Sequence, residues 1–170
     1  MNDGGDAAES NVEPAAASDD TQAKKERFVD AHLADAQKAA DQLDVPVENI
    51  LGLSALESGW GNERNRFVAA GRNYFGIHDP APFANCYMLT ADGRTRVATF
   101  ASYADSLQSF VALSGSIIRG KDDPTAFAAA LQDSGKFGIY PETGAKVPTY
   151  VRDVARTIRG LRPIVARRRL

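Results

Sequence analysis

The segment from Pro46 to Glu57 constrains the fold more than any other part of the sequence. It reads PVENILGLSALE, and its apolar side chains fall on most sides of the helix that it predicts. A helix that is apolar on most sides is buried, so the rest of the chain has to pack around it. Pro46 suits the start of this helix, and Gly59 and Gly61 end it. The sequence therefore predicts a central helix that carries a carboxyl group at its last turn.

Around this segment the sequence predicts further helices and one hairpin. Apolar residues at three- and four-residue spacing predict helices over residues 24–43, 102–120, 124–135 and 147–161. Residues 86–100 alternate weakly, and the pair Asp92-Gly93 is typical of a β-hairpin turn. A chain of 170 residues fits one domain. We therefore expect an α+β fold, mostly α, in which a helical lobe and a small β-hairpin lobe flank a cleft.

The two ends of the chain differ in composition from the part between them. Residues 1–22 hold six of the 22 acidic residues and none of the 20 basic residues. They contain too few apolar side chains for burial to offset the entropy lost on ordering. We expect a disordered acidic leader over residues 1–22, a domain over residues 23–162 and a basic tail over residues 163–170. The tail ends in Arg167, Arg168 and Arg169 without aromatic residues between them, which favours a solubilising role over a nucleic-acid partner.

Composition also limits the chemistry and the compartment. The single cysteine, Cys86, excludes an internal disulfide, and its apolar neighbours favour a buried structural thiol. His32 and His78 are far apart in sequence, so we expect no metal site. No segment approaches the about 20 apolar residues of a membrane span, which predicts no membrane insertion. The N-terminus lacks the basic start and apolar run of a signal peptide, which predicts synthesis in the cytoplasm without one.

Glu57 is the residue that most strongly indicates chemistry. A glutamate is almost never buried in so apolar a helix without a partner or a function. At the last turn, apolar surroundings and the negative end of the helix dipole both disfavour the charged carboxylate and raise its pKa. A carboxyl group that stays protonated near neutral pH can protonate a glycosidic oxygen. From position alone, an exposed glutamate at a helix end is an equal alternative.

Two motifs in order along the chain resemble those of one family. The run ALESGWG over residues 55–61, followed by NYFGI over residues 73–77, resembles glycoside hydrolase family 73. These are the endo-β-N-acetylglucosaminidases that include autolysins and the flagellar peptidoglycan hydrolase. The resemblance spans residues 25–160 and implies a lysozyme-like fold with Glu57 as the general acid. The LESG part alone is less specific, because lytic transglycosylases and other lysozyme-like enzymes share a Glu-Ser at this place.

The same resemblance assigns roles to residues near Glu57. It implies that the cleft is lined or supported, and the sugar contacted, by Ser58, Trp60, Asn73, Tyr74 and Phe75. Ordinary core packing is the alternative for the three aromatic residues, and it explains Phe75 best.

A stretch near the C-terminus supplies two tyrosines. The segment that begins GIYP at Gly138 and ends at Tyr150 is similar to the family's Y-x-x-x-P-x-Y stretch. By that likeness Tyr140 is the active-site tyrosine and Tyr150 a packing residue. The spacing departs from the family pattern, because residues 142–146 are inserted between the two tyrosines.

The hairpin supplies the candidate for a second carboxylate. Glycoside hydrolysis commonly uses two acids, about 5–5.5 Å apart for retention or about 6.5–9.5 Å apart for inversion. The family's second acid lies in the β-lobe, often as T-x-E, and Thr90-Ala91-Asp92 is the nearest likeness here. Asp92 also precedes a glycine and fits a turn-forming role at least as well. Asp79 and Asp105 are further candidates, and the acetamido group of the substrate is an alternative to any second acid.

These features predict a peptidoglycan hydrolase that cleaves the β-1,4 glycan backbone as an endo-β-N-acetylglucosaminidase and needs no cofactor. A lytic transglycosylase or muramidase on the same fold, or a non-catalytic peptidoglycan-binding module, remains open. Peptidoglycan lies outside the bacterial cytoplasmic membrane, so we expect non-Sec delivery to the periplasm or cell wall. An injected type VI secretion effector fits this route, and its partner would be a cognate immunity protein that occludes the cleft.

Overall fold

The computed structural model describes residues 14–169, with side chains from residue 19 onward. The described part contains six helices and one two-stranded antiparallel sheet. The helices are α1 Pro14–Leu43, α2 Val47–Ser58, α3 Arg66–Ala69, α4 Tyr103–Ile118, α5 Pro124–Asp133 and α6 Tyr150–Arg168. The strands are β1 Cys86–Leu89 and β2 Arg96–Thr99. The predicted α+β class is therefore confirmed, with the small sheet inserted between the second and fourth helices.

Helix α2 lies at the centre of the helical lobe, as its sequence predicts. All of its residues are buried except Glu48, Leu56 and Glu57. Helix α6 approaches it so closely that a Cβ added at Gly52 would lie 2.8 Å from the Cα of Ile158. Only a glycine allows two backbones to come this near. The helix ends where Gly59 adopts the left-handed conformation, with φ of 60°.

The hairpin forms where the alternation and the Asp92-Gly93 pair predict it. The register pairs Cys86 with Thr99 and Leu89 with Arg96. Most of β2 is buried against the helical lobe, whereas β1 faces outward. Cys86 lies on the outer strand and is exposed, so the expectation of a buried thiol is wrong. Its apolar neighbours in sequence belong to an edge strand and not to the core.

The N-terminal boundary differs from the predicted one. Helix α1 begins at Pro14, so residues 14–22 are helical and do not form the expected disordered leader. Residues 1–13 of that leader lie outside the described residues. The three alanines and the glutamine of residues 14–22 favour helix, and a helix anchored by a packed segment extends at little cost. The Gln22 side-chain amide also donates to Glu26, one turn later, at 2.9 Å.

The C-terminal boundary differs as well. Residues 163–168 continue α6 and do not form a separate basic tail, although Pro163 lies inside the helix. Ile164 and Val165 are buried in the core, which offsets the loss of a backbone hydrogen bond at the proline. Arg168 binds Asp30 on α1 through two hydrogen bonds, of 2.8 and 3.1 Å. The terminal arginines therefore dock α6 onto α1.

Candidate active site

Glu57 lies on the last turn of α2 and is only partly exposed. Burial raises the pKa of its carboxyl group to about 7, and the nearby hydroxyl of Tyr150 lowers this pKa to a smaller extent. Water stabilises the charged form of a carboxyl group, so the loss of water favours the protonated form. Near neutral pH a large fraction of Glu57 is therefore a neutral acid that can donate a proton.

Gly76 brings the second motif against this carboxyl group. It adopts φ of 64°, and a Cβ added there would lie 3.6 Å from Oε2 of Glu57. The left-handed backbone favours glycine, and the missing side chain leaves one side of the carboxyl group uncovered. The two sequence motifs that are most similar to the family thus meet at one point in the structure.

Asn73 shapes the loop that carries Gly76. Its side-chain amide donates to the carbonyls of Ile77 and Ala98 at 2.8 and 2.9 Å, and its oxygen accepts from the backbone of Phe75 and Ile77. The side chain is 3% exposed and all its hydrogen-bonding positions are occupied. The predicted sugar contact by Asn73 is therefore wrong in this geometry. The residue fixes the loop to β2 and so positions Gly76 beside Glu57.

Of the two C-terminal tyrosines, the structure places Tyr150, and not the predicted Tyr140, beside Glu57. Tyr150, at the start of α6, is 7% exposed and lies beside Glu57, whereas Tyr140 is 47% exposed on a turn closed by Tyr140 N–H to Ala145 O at 2.8 Å. The Tyr150 hydroxyl has no partner at hydrogen-bond geometry among the described residues, and burial and the Glu57 carboxylate both raise its pKa. Tyr150 is thus the tyrosine that faces the acid.

A signal for Tyr150 was present in the sequence. The apolar residues of the sequence predict both α2 and α6, and Gly52 in α2 is the kind of residue that allows close helix packing. Gly52 contacts Ile158, and Glu57 contacts Tyr150, so the two helices run antiparallel. Pairing the end of one predicted helix with the start of the other would have placed Tyr150, and not Tyr140, at the acid.

The candidate second carboxylates do not surround Glu57. Asp92 is exposed at the hairpin tip, where it accepts from the Thr90 hydroxyl at 2.6 Å and from the Arg94 N–H at 3.1 Å. These bonds lower the pKa of Asp92 and show it to be a turn former. Asp105 lies in the first turn of α4, where its N–H donates to the hydroxyl of the capping residue Ser102 and its carboxylate accepts from the same hydroxyl. Asp79 is held in the loop before the hairpin by its N–H to the Arg96 carbonyl.

Comparison with known proteins identifies the family. Residues 33–162 match the model of the glucosaminidase family, described as mannosyl-glycoprotein endo-β-N-acetylglucosaminidase. The chain belongs to this family of glycoside hydrolases. A search of the curated proteins found no match.

Solved structures agree with the family assignment and with a lysozyme-like fold. The enzyme is 38% identical to a chain from a type VI secretion system effector–immunity complex of Pseudomonas protegens, with a TM-score of 0.71, covering 84% of this chain and 94% of that one. It is 30% identical to a peptidoglycan hydrolase from Sphingomonas sp. A1, with a TM-score of 0.65, covering 83% and 93%. The glycoside hydrolase domain of FlgJ from Salmonella typhimurium, 24% identical with a TM-score of 0.60, covers 84% and 91% and shows the fold alone.

Two of the residues predicted to contact the sugar are buried parts of the enzyme's framework. Ser58 is 1% exposed, and its hydroxyl donates to the Ser54 carbonyl and accepts from the Gly61 N–H. Phe75 is 1% exposed and stacks on Phe110 with ring centroids 4.7 Å apart. The prediction of sugar contact is wrong for Ser58, while core packing is confirmed for Phe75.

The other two aromatic residues belong to a cluster on the α1 side of the enzyme. Tyr74 packs edge-on against His32 and Tyr103, both with ring centroids 5.0 Å away. Trp60 is partly buried and packs edge-on against Phe28 on α1 at 5.7 Å. Both rings thus stiffen the segments on either side of Glu57 and Gly76. Contact of Trp60 and Tyr74 with sugar stays a prediction.

A groove of about 380 Å³ opens beside Gly76. Its walls come from the loop after Asn73, from α4 and from the segment after α5. The lining residues include Gly76, Ile77, Phe110, Leu113, Lys136 and Phe137. Gly76 borders both this groove and the Glu57 carboxyl group, so the groove is a candidate for holding substrate next to the acid. Over residues 14–169, no helix is both long and apolar enough to cross a membrane.

Proposed function

We propose that the enzyme cleaves the β-1,4 glycan backbone of peptidoglycan as an endo-β-N-acetylglucosaminidase, with Glu57 as the general acid. The observation that carries the proposal is the partly buried carboxyl group whose pKa is raised to about 7. Family membership supports the glucosaminidase bond, and the 30% identity to a peptidoglycan hydrolase from Sphingomonas sp. A1 supports the substrate. Protonated Glu57 donates its proton to the glycosidic oxygen as the bond breaks, and the Tyr150 hydroxyl then stabilises the carboxylate that forms.

The surroundings of Glu57 argue against a retaining pair of protein carboxyl groups. A second carboxylate at the about 5–5.5 Å that a retaining pair requires would raise the pKa of Glu57 by charge repulsion. Among the described residues, burial and the Tyr150 hydroxyl are the influences on this pKa, and neither is a charge. The acetamido group of the substrate is then the internal nucleophile that assists departure of the leaving group. The acetamido oxygen bonds to C1 as the glycosidic bond breaks, and water, deprotonated by the Glu57 carboxylate, then opens the resulting oxazolinium ion to leave N-acetylglucosamine at the new reducing end.

Digestion of purified peptidoglycan tests both the bond and the acid. We expect wild type to release fragments with reducing N-acetylglucosamine ends, identified by mass spectrometry, and Glu57→Gln to lower the rate about 10²–10⁴-fold. Glu48→Gln is the matched control, because it makes the same change at the other end of α2. Fragments with 1,6-anhydro ends would assign a lytic transglycosylase instead, and full activity of Glu57→Gln would remove Glu57 from the mechanism.

We further infer that the enzyme acts outside the cytoplasm as an antibacterial effector and that a cognate immunity protein occludes its cleft. The support is the 38% identity to a chain of the effector–immunity complex from Pseudomonas protegens over most of both chains. We expect lysis of a Gram-negative host when the chain is directed to the periplasm, and none with Glu57→Gln. Protection by a small periplasmic protein encoded beside the gene would support the partner. Survival of the host despite activity on purified sacculi would contradict the effector role.

A further inference from the structure

We propose that Gln132 is a positioning residue that holds Tyr150 against Glu57 through both ends of the loop between α5 and α6. This inference rests on the proposed role of Glu57 as the acid. Gln132 lies in the last turn of α5, and its side-chain amide donates to the loop that follows and not to Glu57. Its effect on the reaction therefore has to pass through the loop that it binds.

The Gln132 side-chain amide ties the two ends of this loop together. It is 7% exposed, and its Nε2 donates to the carbonyls of Gly138 and Val147 at 2.8 and 2.9 Å. The loop ends also bind each other directly, since the Val147 N–H donates to the Gly138 carbonyl at 2.7 Å. A side-chain amide has two N–H donors and no charge, so it can bind two neighbouring carbonyls at once.

Gly138 and Val147, the two anchors that Gln132 binds, each contact Tyr150. The Tyr150 N–H donates to the same Val147 carbonyl, at 3.2 Å, so one anchor fixes the backbone from which the side chain leaves. The other anchor lies flat against the ring. A Cβ added at Gly138 would lie 2.2 Å from Cγ of Tyr150 and 2.5 and 2.6 Å from its Cδ atoms.

The Gly138 backbone therefore acts as a wall for the Tyr150 ring. Gly138 has φ of 58°, a conformation that favours glycine, and a side chain there would push the ring away. Because the wall and the backbone anchor are both bound by Gln132, one side chain sets two of the constraints on where the tyrosine hydroxyl points. Tyr150 can therefore keep a fixed position although residues 142–146 lengthen the loop before it.

Substitution of Gln132 leaves the anchored carbonyls with other partners. The Gly138 carbonyl keeps the Val147 N–H, and the Val147 carbonyl keeps the Tyr150 N–H. Methionine has a similar length to glutamine and suits a buried site, so Gln132→Met removes both hydrogen bonds with little change in packing. We expect a folded protein in which the Tyr150 ring is less firmly oriented.

Asn49 offers a matched control. It is another fully buried amide, and its Nδ2 donates to the carbonyls of Lys121 and Asp122 at 3.0 and 3.4 Å. It lies at the opposite end of α2 from Glu57, against the loop that precedes α5. Asn49→Leu thus removes a buried amide with two carbonyl partners without touching Tyr150.

The test is a double-mutant cycle with two readouts, kcat on a soluble glycan fragment and the pKa of Glu57 measured by carbon NMR of its carboxyl group. Tyr150→Phe removes the hydroxyl that lowers the pKa of Glu57, so this pKa rises. Gln132→Met is expected to raise it in the same direction and to lower kcat by up to about 10²-fold, the cost of misplacing a catalytic group by about 1 Å. The double variant is expected to match Tyr150→Phe alone.

Three results would overturn the inference. The first is additive effects of Gln132→Met and Tyr150→Phe, and the second is an unchanged pKa of Glu57 in Gln132→Met. The third is a shift of this pKa in Asn49→Leu equal to that in Gln132→Met, which would show general loosening of the fold. The NMR readout does not require Glu57 to be catalytic, so it separates failure of this inference from failure of the proposed function, which full activity of Glu57→Gln would reveal.

Discussion

Glu57 and Asp92 are two carboxyl groups in opposite environments. Glu57 ends a buried helix, and burial raises its pKa to about 7. Asp92 is fully exposed at the hairpin tip, and the Thr90 hydroxyl and the Arg94 N–H lower its pKa. Near neutral pH the first is a proton donor and the second a permanent anion.

The difference shows that surroundings, and not residue type or motif likeness, decide which carboxyl group can serve as an acid. Both residues were chemical candidates from the sequence. Glu57 has few hydrogen-bond donors near it and loses water, whereas the hydrogen bonds of Asp92 are those of a turn. Of these two carboxyl groups, only that of Glu57, in the helical lobe, has the raised pKa that a proton donor near neutral pH requires.

The largest effect expected from this comparison is a pH-dependent gain in stability of Glu57→Gln. The folded protein binds the Glu57 proton more tightly than the unfolded chain does, since the pKa is about 7 in the fold and 4.5 without it. Stability of wild type therefore falls as pH rises from 4.5 to 7, by up to about 3 kcal/mol from this group. Glutamine carries no such cost.

Urea unfolding at pH 4 and pH 8 checks this prediction. The gain in the free energy of unfolding of Glu57→Gln over wild type should be larger at pH 8 than at pH 4 by up to about 3 kcal/mol. An equal difference at the two pH values would mean that Glu57 titrates normally and would remove its contrast with Asp92.

A smaller effect is expected from a methyl group placed next to each carboxyl group. Gly76→Ala and Gly93→Ala both put alanine at positive φ, of 64° and 70°, which costs about 1–2 kcal/mol in each case. Only the Gly76 methyl group reaches Glu57, at 3.6 Å from Oε2, whereas Gly93 has no heavy atom within 4 Å of its added Cβ. The Gly76 variant alone should therefore raise the pKa of Glu57, because the methyl group displaces water. A rise in both variants would point to loosening of the fold instead.

The smallest effect is expected from Asp92→Asn. Asparagine keeps an oxygen that can accept from Thr90 and Arg94, so the turn is preserved while the charge is lost. Activity on peptidoglycan should stay within about twofold of wild type, compared with about 10²–10⁴-fold for loss of the acid. A loss of the larger size would make Asp92 the second catalytic carboxylate and would mean that the hairpin moves toward Glu57 when substrate binds.

The elements that are patterned most strongly were predictable from sequence, and the interactions between distant elements were not. The apolar run before Glu57 gave the central helix and its partly buried acid, and Asp92-Gly93 gave the hairpin. The last helix was predicted to stop at residue 161, whereas α6 continues to Arg168, because the burial of Ile164 and Val165 depends on tertiary packing. Local composition likewise hid the extension of α1 to Pro14.

At the candidate site, the sequence singled out Glu57 and paired it with Tyr140, whereas Tyr150 is the tyrosine that lies beside Glu57 in the structure. The motif pattern pointed to Tyr140, whereas Tyr150 is selected by the antiparallel packing of α6 on α2. Asn73 and Ser58 were predicted to contact sugar because they lie in the motifs. Instead, their side chains form hydrogen bonds with the backbone, and these bonds hold the motifs in place. Motif membership thus selected the region around Glu57, but it did not identify the side chains that only support the backbone there.

The pH dependence of kcat/KM of the wild-type enzyme on a soluble glycan fragment tests the central claim most directly. An enzyme that needs protonated Glu57 loses activity as this group ionises, so we predict an alkaline limb with an apparent pKa near 7. The limb should move to higher pH in Tyr150→Phe, because the hydroxyl that lowers the pKa of Glu57 is gone. Activity that stays constant from pH 6 to pH 9 in wild type, with no limb to move, would contradict the assignment of Glu57 as the acid.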